Sequence, residues 1–174
     1  MTQDPKSKPN TSKMNTLRKS WRGEGAPSLT LLALSLLLIL PIHAQDQGAW
    51  RASNSTARSI TGDVDINGEK LMINLIRFPV SRIRALEPAE VSAAFDADTH
   101  IPGAGSLYSV NIPGGKQFLN HNTLCGTEKT QWMATYAQGR SLKLAFFSGQ
   151  KPPVFTLEAL ANSSDLCGTF VYVK

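Results

Sequence analysis

The stretch DVDINGEKLMINL, Asp63–Leu75, decides the fold class of this chain. Apolar side chains recur at every second position on either side of the pair Asn67-Gly68. They are Val64 and Ile66 before the pair, and Leu71, Ile73 and Leu75 after it. A period of two is typical of strands with one buried face. Asn-Gly between two such runs favours a β-hairpin closed by a type I′ turn. We therefore predict two antiparallel strands that turn at Asn67-Gly68.

The same stretch also resembles part of a calcium-binding loop. Asp63, Asp65 and Asn67 fall at its first, third and fifth positions, and Gly68 falls at the sixth. The twelfth position should bring a bidentate carboxylate, but Asn74 stands there. No helical pattern flanks the stretch. We therefore favour the hairpin and expect no metal.

Alternating patterns recur along the rest of the chain and predict further strands. These lie at Arg82–Leu86, Leu107–Ile112, Trp132–Tyr136, Leu142–Phe147 and Gly168–Val173. The connections between them are short, which favours antiparallel pairing. One helix is predicted at Pro88–Phe95, because proline suits the first helical position and Val91 lies one turn before Phe95.

Together these elements predict an all-β fold. We expect a small antiparallel barrel or sandwich of about seven or eight strands with at most one short helix, stapled by one disulfide. The expected core residues are Ile60, Val64, Leu71, Ile73, Leu107, Val110, Trp132, Leu144, Phe146, Phe170 and Tyr172.

The N-terminal region has the pattern of a secretory signal peptide. The uncharged run LTLLALSLLLIL, Leu29–Leu40, follows several basic residues and precedes a small residue, Ala44. It is shorter than the roughly 20 apolar residues of a spanning helix, so we expect cleavage and no stable membrane anchor, with an uncleaved anchor as the alternative. We predict a signal peptide at residues 1–44, with Met14 as an alternative start, a polar arm at 45–57 and a single β domain at 58–174. The location implied is periplasmic or secreted.

The basic charge of the chain belongs mainly to this leader. The whole chain has a formal net charge of +5. The leader holds six basic residues against two acidic ones, a surplus of +4 that leaves +1 for residues 45–174. A nucleic-acid partner would call for a basic patch on the domain itself. We therefore exclude nucleic acid as a partner.

The two cysteines of the chain, Cys125 and Cys167, each lie in the sequence LCGT. Zinc needs about four ligands, and the chain after residue 44 adds only His100 and His121, at spacings that match no zinc pattern. A redox pair more often has the form C-x-x-C. In an oxidising compartment two cysteines favour a structural bridge. We predict the disulfide Cys125–Cys167, no metal and no cofactor.

Two histidines give the sequence its only support for catalysis. His100 lies close to Asp98, and His121 lies in the polar stretch LNHNT. No G-x-S-x-G motif presents a serine nucleophile, and no spacing among the carboxylates singles out a catalytic pair. A small periplasmic hydrolase that uses His100 or His121 therefore stays as the alternative function.

The segment FFSGQKPP, Phe146–Pro153, ends a predicted strand in a loop rich in glycine and proline. The candidate binding residues of this loop are Ser148, Gly149, Gln150 and Lys151. The competing interpretation is an ordinary turn whose prolines stop the strand from pairing further.

Trp50 and His121 are two further candidate binding residues. Trp50 follows Gly48-Ala49, and this triplet resembles the G-x-W of lipocalins, which bind apolar ligands inside a barrel. We therefore predict an exported binding or interaction module, monomeric, that holds a protein partner or a small apolar ligand in a lipocalin-like or inhibitor-like manner.

Five segments also carry a resemblance to known sequences. They are ARSITGDV (Ala57–Val64), LYSV (Leu107–Val110), FLNHNTLCG (Phe118–Gly126), LAFFSGQKPP (Leu144–Pro153) and LCGTFVY (Leu166–Tyr172). Together they resemble a family of small exported bacterial proteins with paired Leu-Cys-Gly sites and no characterised activity. The resemblance implies an exported, disulfide-bonded domain and brings no catalytic residue with it.

Overall fold

The computed structural model describes residues 45–98 and 100–174, and in these two ranges the chain forms eight β-strands. They are β1 (Gly48–Ala52), β2 (Val64–Asn67), β3 (Lys70–Ile73), β4 (Ile76–Ala85), β5 (Ala104–Ile112), β6 (Thr130–Gln138), β7 (Ser141–Phe147) and β8 (Leu166–Val173). Each strand pairs antiparallel with the next, and β8 pairs antiparallel with β1. The sheet therefore closes into a barrel, which confirms the predicted all-β antiparallel fold.

Short helices lie in the connections between strands. They are α1 (Ser55–Ile60), α2 (Pro88–Phe95) and α3 (Leu157–Ala161), together with a 3₁₀ turn at Leu119–His121. Helix α2 was predicted, whereas α1 and α3 exceed the expected limit of one helix. Helices α1 and α3 each begin at a side-chain cap. At α1, Asn54 Oδ1 accepts from the Ala57 N–H at 3.0 Å, and at α3, Thr156 Oγ1 accepts from the Ala159 N–H at 3.2 Å. Both helices are too short to show a helical period in the sequence. None of the helices in the described ranges is long and apolar enough to span a membrane.

The hairpin predicted from Asp63–Leu75 forms, with its turn one residue later than expected. Asn67 is still paired in the strand ladder, so the turn residues are Gly68 and Glu69. Only Gly68 has a positive φ, 61°, which is the pattern of a type II′ turn rather than a type I′ turn. The type I′ pattern occurs at the β3–β4 turn instead, where Asn74 and Leu75 have φ values of 46° and 65°.

Apolar side chains fill the inside of the barrel. The largest of them are Trp50, Tyr108, Tyr172, Phe146, Phe170, Ile66, Leu71, Ile73, Ile112 and Met133. A second cluster lies on the opposite face of the sheet, where α2 and α3 cover β5–β7. It consists of Leu86, Val91, Phe95, Leu107, Ala134, Tyr136, Ala145, Phe147 and Phe155. The barrel wall is therefore packed on its inside all round and on its outside under the two helices.

The predicted core is confirmed at nine of its eleven positions, which are buried. The exceptions are Ile60, which lies in α1 instead of a strand, and Trp132; both are half-buried. Leu107 is buried as expected, but in the cluster outside the barrel.

Residues 45–57 do not form the polar arm that the sequence suggested. Gly48–Trp50 pair with β2, and Arg51–Ala52 pair with β8, so this segment supplies the strand that closes the barrel. Trp50 is only 2% exposed. The strand sequence GAWRA contains a single large apolar side chain, so a period of two could not show in it. The predicted signal peptide and its cleavage after Ala44 lie outside the described residues.

Cys125 and Cys167 form the predicted disulfide. The bridge joins the β5–β6 connection to the start of β8, and Cys125 Sγ also accepts a hydrogen bond from Thr130 Oγ1 at 3.1 Å. The loop that it closes spans a sequence separation of 42, for which the loss of chain entropy in the unfolded state stabilises the fold by about 4 kcal/mol. The bridge therefore ties the β5–β6 connection to the start of β8.

Candidate functional site

The β7–β8 connection contains the predicted binding residues Ser148–Lys151, and its base is clamped to β6. The Ser148 N–H donates to the carbonyl of Asp165 at 2.9 Å, and the Ser148 carbonyl accepts from Gln131 Nε2 at 2.9 Å. The Gly149 carbonyl accepts from Trp132 Nε1 at 2.8 Å. The indole and the amide thus hold two successive carbonyls, which gives the start of the connection a fixed conformation.

Gly149 lies close to the side chain of Asp165, which is exposed. A Cβ at position 149 would lie 2.3 Å from Asp165 Oδ2 and 2.8 Å from its Cγ. A larger side chain at position 149 would therefore require the Asp165 carboxylate to turn away. The two ends of the connection are therefore in direct contact and support each other.

The tip of the connection exposes apolar side chains next to polar ones. Val154 is 64% exposed and Leu157 is 73% exposed. Between them Phe155 is buried, with its ring edge-on to Phe147 at 5.9 Å. A groove of about 340 Å³ lies between Lys151–Val154 and the C-terminal end of α3. The buried Phe155 ring packs against Phe147 and anchors this segment. Val154 and Leu157 on either side of it therefore stay exposed to solvent in a fixed position.

A larger groove, of about 940 Å³, runs along β1–β3 and the end of β8. Its lining includes Arg51, Asp63, Asp65, Met72, Leu75 and Lys174. We call it the outer groove. Trp50 forms part of its floor, with Lys174 Nζ 4.2 Å from the centre of the indole ring. The indole Nε1 donates to the carbonyl of Asp46 at 2.9 Å. Because Trp50 belongs to the barrel core and is only 2% exposed, it supports the groove from beneath and offers it little surface.

The two histidines are exposed and stand apart from any catalytic arrangement among the described residues. The His100 backbone N–H donates to Asp98 Oδ1 at 2.9 Å, and this contact leaves the ring unused. His121 Nδ1 lies 3.4 Å from Gln117 Oε1. In residues 45–98 and 100–174 neither ring bonds to a carboxylate or a hydroxyl, which are the partners that a nucleophile relay needs.

The predicted site residues fall into three separate places. Ser148–Lys151 belong to the β7–β8 connection, Trp50 belongs to the outer groove, and His121 lies in the 3₁₀ turn. Within the described part of the chain, no group of three His, Cys, Asp or Glu side chains could hold a metal ion. Asp63, the first position of the calcium-like stretch, accepts a hydrogen bond from the Ala52 N–H at 2.9 Å and so contributes to the barrel wall.

One buried polar cluster was not predicted from the sequence. Asp46 is 2% exposed. It accepts from Tyr108 Oη at 2.9 Å, Thr135 Oγ1 at 2.6 Å and Gln47 Nε2 at 3.2 Å. Burial of the Tyr108 hydroxyl raises its pKa, and the neighbouring Asp46 carboxylate raises this pKa further. A lone aspartate in a polar segment gives no sequence signal for burial, because its hydroxyl partners come from β5 and β6.

No protein-family model matches the chain, and no curated protein or solved structure is detectably similar to it.

Proposed function

We propose that this chain is an interaction module that presents its β7–β8 connection to a partner protein. The observation that carries the proposal is the exposure of Val154 (64%) and Leu157 (73%) on a connection whose base is hydrogen-bonded to β6. Single exposed apolar residues are common on protein surfaces. Two of them on one preformed tip, directly after Pro152 and Pro153, favour a contact surface.

The rigidity of the connection supports this interpretation. Binding loses affinity when a loop must be ordered on contact, and a preformed loop avoids much of that cost. Trp132, Gln131 and Asp165 fix the base, and Phe155 anchors the tip in the outer apolar cluster. An inhibitor loop that enters the cleft of an exported enzyme would have the same properties.

A ligand inside the barrel has less support than a partner outside it. Eight-stranded barrels such as lipocalins hold a small ligand where the interior leaves room. Here large side chains such as Phe146, Phe170 and Met133 fill that volume and are fully buried. A lipocalin-like ligand would have to displace them, so we place the binding surface on the loops.

We further propose that the module is exported, as a monomer, to the periplasm or beyond the cell. Disulfides form and persist in oxidising compartments, and Cys125–Cys167 is such a bridge. The signal-peptide pattern of residues 1–44 supports the same location, as does the resemblance to a family of small exported bacterial proteins.

Affinity capture from the exported fraction of the native cells tests the proposed function. The bait is the tagged protein, compared with the double variant Val154→Asp/Leu157→Asp. Ile83, which is 51% exposed on β4, supplies the matched control Ile83→Asp. We expect a partner that wild type and Ile83→Asp retain and that the double variant loses at least tenfold. Equal capture by all three baits would overturn the proposal.

A further inference from the structure

The outer groove carries charges of opposite sign in its two halves. Asp63 and Asp65 lie on the β2 side, whereas Arg51, Arg140 and Lys174 lie on the side of β1 and β8. The strand register places Asp65 between Ala49 and Met72, and it pairs Arg51 with Val173. The groove is therefore dipolar across β1.

Two of these charges are free to meet a ligand. The other three are engaged by the fold: Lys174 Nζ donates to the carbonyl of Gln47 at 2.9 Å, Arg140 Nε donates to the carbonyl of Lys174 at 2.9 Å, and Asp63 accepts from the barrel backbone. Arg51 and Asp65, by contrast, have no hydrogen-bond or ion-pair partner for their side chains within the described ranges. A charge that serves no contact of the fold is available for recognition.

An apolar wall borders the acidic half. Met72 and Leu119 are half-buried in the lining, and Leu75 beside them is 86% exposed. Leu75 also has a φ of 65°, a left-handed conformation that costs about 1–2 kcal/mol for a residue with a Cβ. Asparagine or glycine would satisfy this turn without that cost. The leucine therefore weakens the turn while its side chain contributes little packing to the barrel.

We propose that the outer groove binds a short extended peptide segment that carries a cationic group and an anionic group beside apolar side chains. The cationic group would contact Asp65, the anionic group Arg51, and the apolar side chains Met72 and Leu75. A ligand with charges of one sign would be repelled by one half of the groove. A wholly apolar ligand would leave the charges desolvated without partners. The volume of about 940 Å³ lies within the range of small-ligand sites.

The proposal is independent of the β7–β8 connection, because the two surfaces share no lining residue. The test uses a library of random heptapeptides displayed with free N-termini, selected on the folded wild-type protein. The variants are Asp65→Asn and Arg51→Gln, which remove a charge and break no contact of the described fold. Glu158→Gln on α3 is the control for loss of an exposed charge elsewhere.

We expect enriched peptides that combine lysine or arginine, apolar residues and an acidic residue. Their affinity should fall at least tenfold in Asp65→Asn and in Arg51→Gln, and it should be unchanged in Glu158→Gln. Selection that enriches no sequence would overturn the proposal, and so would enriched peptides that bind all the variants equally. Phosphatidylcholine vesicles are the second probe. Binding of vesicles without peptide enrichment, weakened by the same two substitutions, would assign the groove to a lipid surface and overturn the peptide.

Discussion

Tyr108 Oη donates a hydrogen bond of 2.9 Å to Asp46 Oδ2, which ties the segment before β1 to the middle of β5. Thr135 on β6 donates to the same carboxylate oxygen at 2.6 Å. Asp46 lies two residues after the predicted cleavage site. If cleavage occurs after Ala44, the first residues of the mature chain help to close the barrel.

Replacement of Asp46 by alanine should destabilise the fold by about 1–3 kcal/mol, because two buried hydroxyls lose their acceptor. Asp46→Asn keeps one acceptor oxygen and should cost less. The free energy of unfolding in urea is the measurement, with the exposed Glu158→Ala as the control, expected within about 0.5 kcal/mol of wild type. Equal stability of Asp46→Ala and the control would contradict this role.

All three tyrosines should ionise at higher pH in the folded protein than in the unfolded chain. Burial is the main cause of the raised pKa of Tyr108, Tyr136 and Tyr172, relative to an ordinary value of about 10. The folded state then holds these protons more tightly, so stability is retained below about pH 10 and declines as the pH rises above it. The measurement is the ultraviolet absorbance of tyrosine phenolate as the pH is raised. At about pH 10 the absorbance of the native protein should be low, whereas that of the protein unfolded in urea should have reached half of its maximum. Coincident titration curves would contradict this prediction.

Gly149→Ala should destabilise the protein by about 1 kcal/mol or less, since the new Cβ would overlap the Asp165 carboxylate and this exposed side chain would have to turn away. Asp165→Ala removes the overlapping atoms. In the double variant Gly149→Ala/Asp165→Ala, the penalty of the alanine at 149 should therefore largely vanish. A double-mutant cycle on unfolding free energies measures this coupling. Additive effects would show that the contact between the two residues does not determine the loop conformation.

Leu75→Asn should stabilise the protein by about 1 kcal/mol, because asparagine tolerates the left-handed conformation at this turn. Leu75→Ala removes similar apolar surface but keeps the unfavourable φ, so it separates the two effects and should leave stability nearly unchanged. Thermal unfolding of the three proteins is the measurement. If Leu75→Asn is no more stable than Leu75→Ala, the leucine does not strain the turn.

Local sequence signals predicted the parts of the fold that depend on neighbouring residues. The alternation around Asn67-Gly68 gave a hairpin, and proline at the first position of α2 gave a helix. The turn moved by one residue because Asn67 remains in the strand ladder, which depends on pairing across the hairpin. Strand β1 was missed because only Trp50 in it is large and apolar.

From the sequence, the candidate binding site could be predicted only as a loop rich in glycine and proline. Glycine and proline marked Ser148–Lys151 as a loop, but its clamp comes from Trp132 and Asp165, which are distant in sequence. The outer groove draws its lining from β1, β2, β3 and the end of β8, and from the chain near Leu119 and Arg140. No local pattern brings these segments together, so the groove becomes visible only when the barrel closes.

Photo-cross-linking from the tip of the β7–β8 connection tests the central claim most directly. A photo-reactive phenylalanine analogue replaces Leu157 in one protein and Ile83 in a second, both produced in the native cells. We predict one discrete cross-linked partner from position 157 and none of that mass from position 83. No adduct at either position, or the same adducts at both, would contradict the assignment of the β7–β8 connection as the partner-binding surface.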